Sequence, residues 1–282
     1  PAHLLDLGGI AELQRIEAGP NGLRLGALAR MSDVAEHPVV KAEYPVLSQA
    51  LLASASPQVR NMGTMGGNLL QRTRCLYFRD VATSCNRRMP GSGCGALNGE
   101  NRLHAILGGS DRCVATHPSD LAVALVALDA ALVAQSLGGE RRIPVEAFHL
   151  VPGETPDRET ALAPGEIITA VEVPATTFAR RSLYYKVRDR ASFEFALAAA
   201  AVALDLDEGR IREARVALGG VATKPWRAHS VEAALRDAPL ERAAFEAAAS
   251  HAADGAKVLA QNGFKVPLVQ RAVLHALVTL GT

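Results

Sequence analysis

Aromatic residues make up only 4% of this 282-residue chain: seven Phe, four Tyr and one Trp. A core with so few rings must be filled by alanine, leucine and valine, and at 49% hydrophobic the chain can bury one. No apolar run approaches the roughly 20 residues of a membrane span. An excess of one charge is missing too, since 30 Lys and Arg against 29 Asp and Glu leave a net charge of +1. A nucleic-acid binder shows a basic stripe, and none is present. The densest positive group is Arg72, Arg74, Arg79, Arg87 and Arg88, which reads either as a solvated loop or as a steering and docking surface. The short Cys-x2–4-Cys knuckle of zinc sites is absent, as is the two-residue cysteine spacing of bacterial ferredoxins. There is no G-x-S-x-G, no H-E-x-x-H and no Walker loop, which removes the common hydrolase, metalloprotease and P-loop chemistries. The chain opens on Pro1 without a signal-like segment, so its beginning reads as a processed or truncated end.

What is present is concentrated. All four cysteines, Cys75, Cys85, Cys94 and Cys113, fall in one window, at spacings of ten, nine and nineteen residues. Four thiolates can hold an iron–sulfur cluster or a zinc ion. Two disulfides or buried structural thiols are the alternatives. Clustering in one glycine-rich loop favours a shared ligand, and Gly91–Gly95 offers backbone N–H groups to a cluster sulfur. Before the window runs Asn61-Met62-Gly63-Thr64-Met65-Gly66-Gly67-Asn68, and after it Thr116-His117-Pro118-Ser119-Asp120. Glycine backbone beside a Thr and an Asn can approach a pyrophosphate closely. A redox cluster beside a nucleotide cofactor points to electron transfer.

Patterning gives a mixed chain. Strands are expected at 23–27, 131–135, 167–174 and 184–188, with a long alanine-rich strand in 193–206 paired as a hairpin with 211–218. Helices are expected after Ser32, over 45–55, after Ser119-Asp120, after Ser230, and over 241–253 and 264–280. The segment 61–68 reads as a turn, and 71–112 as a long loop of the kind that is usually functional. The second half, strands with helices on one side, suggests an α+β domain.

These residues together resemble a known family. The string Thr64-Met65-Gly66-Gly67-Asn68, the four-cysteine loop, and Thr116–Asp120 followed by an apolar helix resemble the FAD-binding medium subunit of the molybdenum hydroxylases. That group includes the xanthine dehydrogenases, aldehyde oxidoreductases and carbon monoxide dehydrogenases. The phrases around Cys75, Cys85, Cys94 and Cys113 are similar to the bacterial aldehyde oxidoreductase branch that carries an extra 4Fe–4S cluster. Gly219–Arg227 and Gly263–Val269 extend the likeness to the end of the chain.

The resemblance implies an α+β fold. A PCMH-type FAD-binding domain would span 1–176, with a cluster loop at 71–115, and a CO-dehydrogenase-flavoprotein-like C-terminal domain 177–282. It implies that Thr64, Met65, Gly66, Gly67 and Asn68 hold the FAD diphosphate. Ser119 and Asp120 would reach the ribityl or adenosine part, or serve as a helix cap. Ile168 would make an apolar contact on the flavin side, or be an ordinary core residue, and Lys186 would stand near the flavin. Cys75, Cys85, Cys94 and Cys113 would ligate the 4Fe–4S cluster, and no residue would be catalytic in its own right. Implied partners are a small 2Fe–2S subunit and a large molybdopterin subunit, from which electrons reach FAD on their way to a terminal acceptor; nucleic acid and membrane are not expected. A family Ala-Gly-Gly-Thr-like pyrophosphate loop has no match, which suggests that roughly fifty preceding residues are missing. A stand-alone flavoprotein and a zinc-stabilised interaction module are the rival readings. The compartment is open: cytoplasm, or periplasm on a partner's signal.

Overall fold

The alternating segment Ile167–Pro174 forms the central strand of a five-stranded antiparallel sheet. In this computed structural model, which describes residues 3–281, the strands are β1 (Ile16–Gly19), β2 (Gly22–Gly26), β3 (Ala131–Ser136), β4 (Gly139–Pro144) and β5 (Ile167–Pro174), in the order β1-β2-β5-β3-β4. A second antiparallel sheet, β6-β7-β8-β9, comprises Ser182–Val187, Ala198–Asp207, Arg210–Gly219 and Trp226–Arg227. Short helices and two antiparallel sheets give the α+β class.

Proline punctuates the first half. Helices Pro38–Glu43, Pro45–Ala53 and Pro57–Met62 each begin with proline, whose missing N–H is no loss in a first turn. Each proline also restricts the residue before it, so one helix stops where the next starts. Sequence patterning places the helix that starts at Pro45 but misses those that start at Pro38 and Pro57. Ser32 and Ser230 are not caps: their helices begin at Met31 and His229, after Arg30 and Ala228.

The second sheet is covered on both faces rather than one. Alternate residues Ala199, Ala201 and Ala217 join the core of the first half, with Tyr184 and helix Asp120–Ala127. Ala198, Ala200, Val202, Val216 and Leu218 face the other way, into a core shared with the terminal helices Arg242–Ser250 and Lys265–Gly281. A strand buried on both sides loses its polar alternation, and small alanines let both layers approach. Here the low aromatic content finds its structural use.

The cysteine loop has little regular structure: one turn of helix, Leu76–Arg79, and isolated bridges at Cys85–Cys94 and Ser110–Cys113. Its far end is fastened to the C-terminal segment. Asn101 and Gln261 exchange two hydrogen bonds of 2.9 Å, and Asn262 Nδ2 donates to the carbonyls of His104 and Ala105 at 3.3 Å. Lys265, fully buried, donates to the carbonyls of Leu103 (3.0 Å) and Gly220 (2.6 Å).

Candidate functional site

Thr64 caps the helix Met65–Leu69, its Oγ1 accepting the Gly67 amide at 3.1 Å. The segment expected to be a turn is thus the first turn of a short helix. It lies hard against the segment after β2: the Met65 amide donates to Ala29 O (3.0 Å) and the Gly66 amide to Ala27 O (2.8 Å). A Cβ on Gly66 would stand 3.1 Å from both Ala27 Cβ and Ala27 O, which is why glycine sits there. The amides of Met65, Gly66, Gly67 and Asn68, expected to face a diphosphate, are therefore all used within the protein. The Thr64 hydroxyl proton, the exposed Gly67 and the half-buried Asn68 are what the turn offers a ligand. Ile168 is 6% exposed and belongs to the same apolar core as Met65 and Leu69.

Asn68 starts a buried polar chain. Ser119 Oγ donates to Asn68 Oδ1 (2.6 Å) and accepts the Ala122 amide (3.0 Å), so Ser119 is both helix cap and bridge. The next residue, Asp120, accepts from Tyr184 Oη at 2.5 Å on one carboxylate oxygen and from Lys186 Nζ at 2.7 Å on the other. Lys186 also donates to Ala53 O (3.1 Å), as does Arg188 Nη1 (3.1 Å), so both cations meet the C-terminal end of helix Pro45–Ala53. The Lys186 and Asp120 side chains are only 3% and 6% exposed. Burial pushes the Asp120 carboxyl up, against the pull of Lys186 and the Tyr184 hydroxyl. Burial, then the neighbouring Asp120, raises Tyr184 well above its ordinary value, so it stays a protonated donor. Lys186 is thus a paired charge inside the wall of the site, and Tyr184, missed by sequence reasoning, completes the carboxylate. The clue was the two-residue spacing to Lys186, which puts both on one face of β6.

Ser119, Asp120, Val123 and Tyr184 border a cavity of about 380 Å³, the size of a cofactor site. Cys75 and His104 line it too, as do Arg102, Asp189 and Phe195. Arg102 and Asp189 form a two-pronged pair there (2.9 and 3.1 Å). A second cavity, about 210 Å³, is bordered by Leu69, Arg87, His117, His149 and Glu159. The His117 and His149 rings meet edge to face at 4.2 Å. Burial lowers His149 to about 4 and holds His117 well below its ordinary value, helped there by His149 and Arg87.

The four cysteines are all free and border one small cavity. Burial raises the Cys75 thiol to about 11, against hydrogen bonds from the Phe78 and Tyr77 amides. Cys94 is likewise raised by burial and opposed by the amides of Ala96, Val114 and Leu97. Those amides lie after Cys94 and across the loop, not in Gly91–Gly95 as expected. Three of the five arginines hold the loop together. Arg88 donates to the carbonyls of Tyr77 (2.8 Å), Phe78 (2.6 Å) and Thr83. Arg72 and buried Arg87 both pair with Glu159, and Arg87 Nη2 lies 3.8 Å from Cys113 Sγ. His104 Nε2 lies 3.2 Å from Cys75 Sγ, a contact that no spacing in the sequence announces. Among the described residues, no group of three or more His, Cys, Asp or Glu side chains is set to hold a single metal ion. What the loop offers a metal group is four free thiols around one cavity, with backbone amides at Cys75 and Cys94 and the Arg87 guanidinium near Cys113; four thiols are the donor set of an iron–sulfur cluster.

Comparison with known proteins places this geometry. Residues 1–176 match the model for the FAD binding domain in molybdopterin dehydrogenase, and residues 183–279 that for the CO dehydrogenase flavoprotein C-terminal domain. The chain is 48% identical to the aldehyde oxidoreductase FAD-binding subunit PaoB of Escherichia coli, over 98% of this chain and 84% of that protein. It is 26% identical to the carbon monoxide dehydrogenase medium chain of Hydrogenophaga pseudoflava, over 89% of this chain and 71% of that one. A solved structure of that organism's carbon monoxide dehydrogenase, in a form lacking the Mo-pyranopterin moiety, superimposes with a TM-score of 0.72 at 26% identity, covering 98% and 81% of the two chains. The chain therefore belongs to the FAD-binding family of the molybdopterin dehydrogenases, and is an FAD-binding oxidoreductase subunit of the molybdenum hydroxylase class.

Proposed function

We propose that this chain is the electron-transferring medium subunit of a three-subunit molybdenum-dependent aldehyde or xanthine-type oxidoreductase. Its FAD would lie along Thr64–Asn68 and reach into the cavity beside Asp120. A 4Fe–4S cluster on Cys75, Cys85, Cys94 and Cys113 would stand on the other side of the Cys75 wall. The observation that carries this reading is the pair of neighbouring residues Ser119 and Asp120, the first bonded to Asn68 and the second to Tyr184 and Lys186, on a cavity that Tyr184 and Cys75 also line. On this reading the chain divides at about residue 176, with the Asp120–Lys186 pair joining the two parts.

When bound, FAD supplies two-electron storage released in single steps, and a cluster supplies one-electron exchange. The residues here bind and hold. Thr64 offers its hydroxyl proton to the diphosphate, and Met65 and Gly66 fix the turn to the strand beneath it. Asn68 is oriented by Ser119. Asp120 keeps its charge facing the cavity because Tyr184 and Lys186 satisfy it. Lys186, already paired, contributes a fixed positive potential rather than a direct contact. Nothing in this arrangement activates a substrate by acid–base or nucleophilic chemistry. Substrate oxidation would belong to a large molybdopterin subunit, reached through a small 2Fe–2S subunit.

The test is an anaerobic absorbance spectrum with iron, sulfide and flavin analysis, on the protein co-expressed with its genomic neighbours. About four iron and four sulfide with one FAD per chain would support both halves of the proposal. Flavin without iron would leave the flavin role and remove the cluster. Neither cofactor would overturn both.

A further inference from the structure

One wall is common to two cavities. Cys75 borders the small cavity shared by all four cysteines and also the large cavity beside Asp120, which Cys85, Cys94 and Cys113 do not line. His104 stands on the same wall, 6% exposed, with its Nε2 3.2 Å from Cys75 Sγ. Its place is fixed from several sides. The His104 amide donates to Asn101 O at 3.0 Å, its carbonyl accepts from Asn262 Nδ2 at 3.3 Å, and the Tyr77 ring lies tilted at 6.1 Å.

The two ring nitrogens differ sharply. Nδ1 is buried without a hydrogen-bond partner, while Nε2 faces the sulfur. A neutral imidazole carries one N–H. Placed on Nδ1, that proton would be a buried donor with no acceptor, a costly arrangement. Placed on Nε2, it points at Cys75. A metal-bound thiolate can only accept, so loading the site selects the Nε2–H form.

We propose that His104 is a positioning residue for the Cys75 corner of the cluster, its Nε2–H donating to the Cys75 thiolate and raising the cluster's reduction potential. This rests on the cluster reading above. A hydrogen bond to a ligating sulfur offsets the negative charge added on reduction, so removing it moves the potential down. The corner tuned in this way is the one that faces the flavin cavity.

The experiment uses the complex co-expressed with its partner subunits and compares His104→Leu with His104→Gln. Leucine removes the donor; glutamine can return an amide N–H to the same sulfur. Expected are full iron and sulfide in both variants, and a more negative midpoint potential for His104→Leu in an EPR-monitored titration. The exchangeable-proton coupling seen by ENDOR should vanish in that variant, and His104→Gln should recover much of both signals. An unchanged potential in an iron-replete His104→Leu protein would overturn the tuning role and leave the cluster in place. Loss of iron from both variants would make His104 a structural post and equally overturn it. A wild-type complex without iron removes the cluster reading itself, so the two failures are read from different samples.

Discussion

Asp120 is the residue on which the site turns, because it satisfies two buried groups at once, Tyr184 and Lys186. Replacing it by Asn removes the negative charge bonded to Lys186, which is 3% exposed, and leaves Tyr184 and Lys186 one acceptor oxygen to share. Breaking one partner of a buried pair costs about 3–5 kcal/mol, so Asp120→Asn should unfold at markedly lower urea concentration than wild type. Adding Lys186→Met should recover part of that loss, which a double-mutant cycle in urea would measure. If the single variant unfolds at the wild-type midpoint, the pair has no structural role. Ser119 carries a smaller effect. Ser119→Ala removes the cap on Ala122 and the bond to Asn68, at about 1 kcal/mol for the cap. The lost orientation of Asn68 should also weaken FAD retention, read as flavin released on gel filtration.

At the scale of elements, the cysteine loop is shaped around Tyr77. Its hydroxyl accepts the Glu100 amide at 2.7 Å, and a Cβ on Gly99 would stand 2.1 Å from that oxygen. Gly99→Ala must therefore displace Tyr77, whose neighbouring amide reaches Cys75. We expect this variant to keep its FAD while losing most of its iron and sulfide on purification; unchanged iron would separate Tyr77 from the cage. Legibility in the sequence followed local pattern. The alternation of Ile167–Pro174, the apolar run after Ser119 and the turn residues Asp207–Gly209 announced their elements, and Ser119 and Asp120 could be placed at a helix start. Strands β1 and β4 could not be read: β1 exposes most of its residues and β4 is charged, with only Ile143 buried. They exist because β2 and β3 hold them by backbone pairing, a tertiary cause that local pattern does not carry. Cys75 and His104 lie 29 positions apart with no periodic relation, and only the folded loop brings them together.

At the scale of the whole molecule, the response to acid follows from two histidines buried beside Leu69. His149 is held at about 4 and His117 well below its ordinary value, so both are neutral in the folded state where an unfolded chain would take up protons. Stability is then complete above about pH 6.5, the ordinary histidine value, and falls as the pH drops from there toward about 4. For His149 alone the loss is roughly 2–3 kcal/mol across that window. Urea midpoints at pH 7 and pH 4.5 should show it, and His149→Gln should flatten the slope. An equal slope in that variant would assign the acid sensitivity to other groups.

The bonds from Gln261, Asn262 and Lys265 to residues 101–105 have a consequence in time. A ribosome delivers the cysteines long before it delivers those anchors. While residue 260 is still to come, the far end of the cysteine loop can reach Asp189 and Val221 but lacks its last anchors. Full closure of the loop thus awaits the last stretch of the chain, and on the proposed reading that interval is when a cluster would be delivered to the cysteines. Release of the finished polypeptide shuts that door.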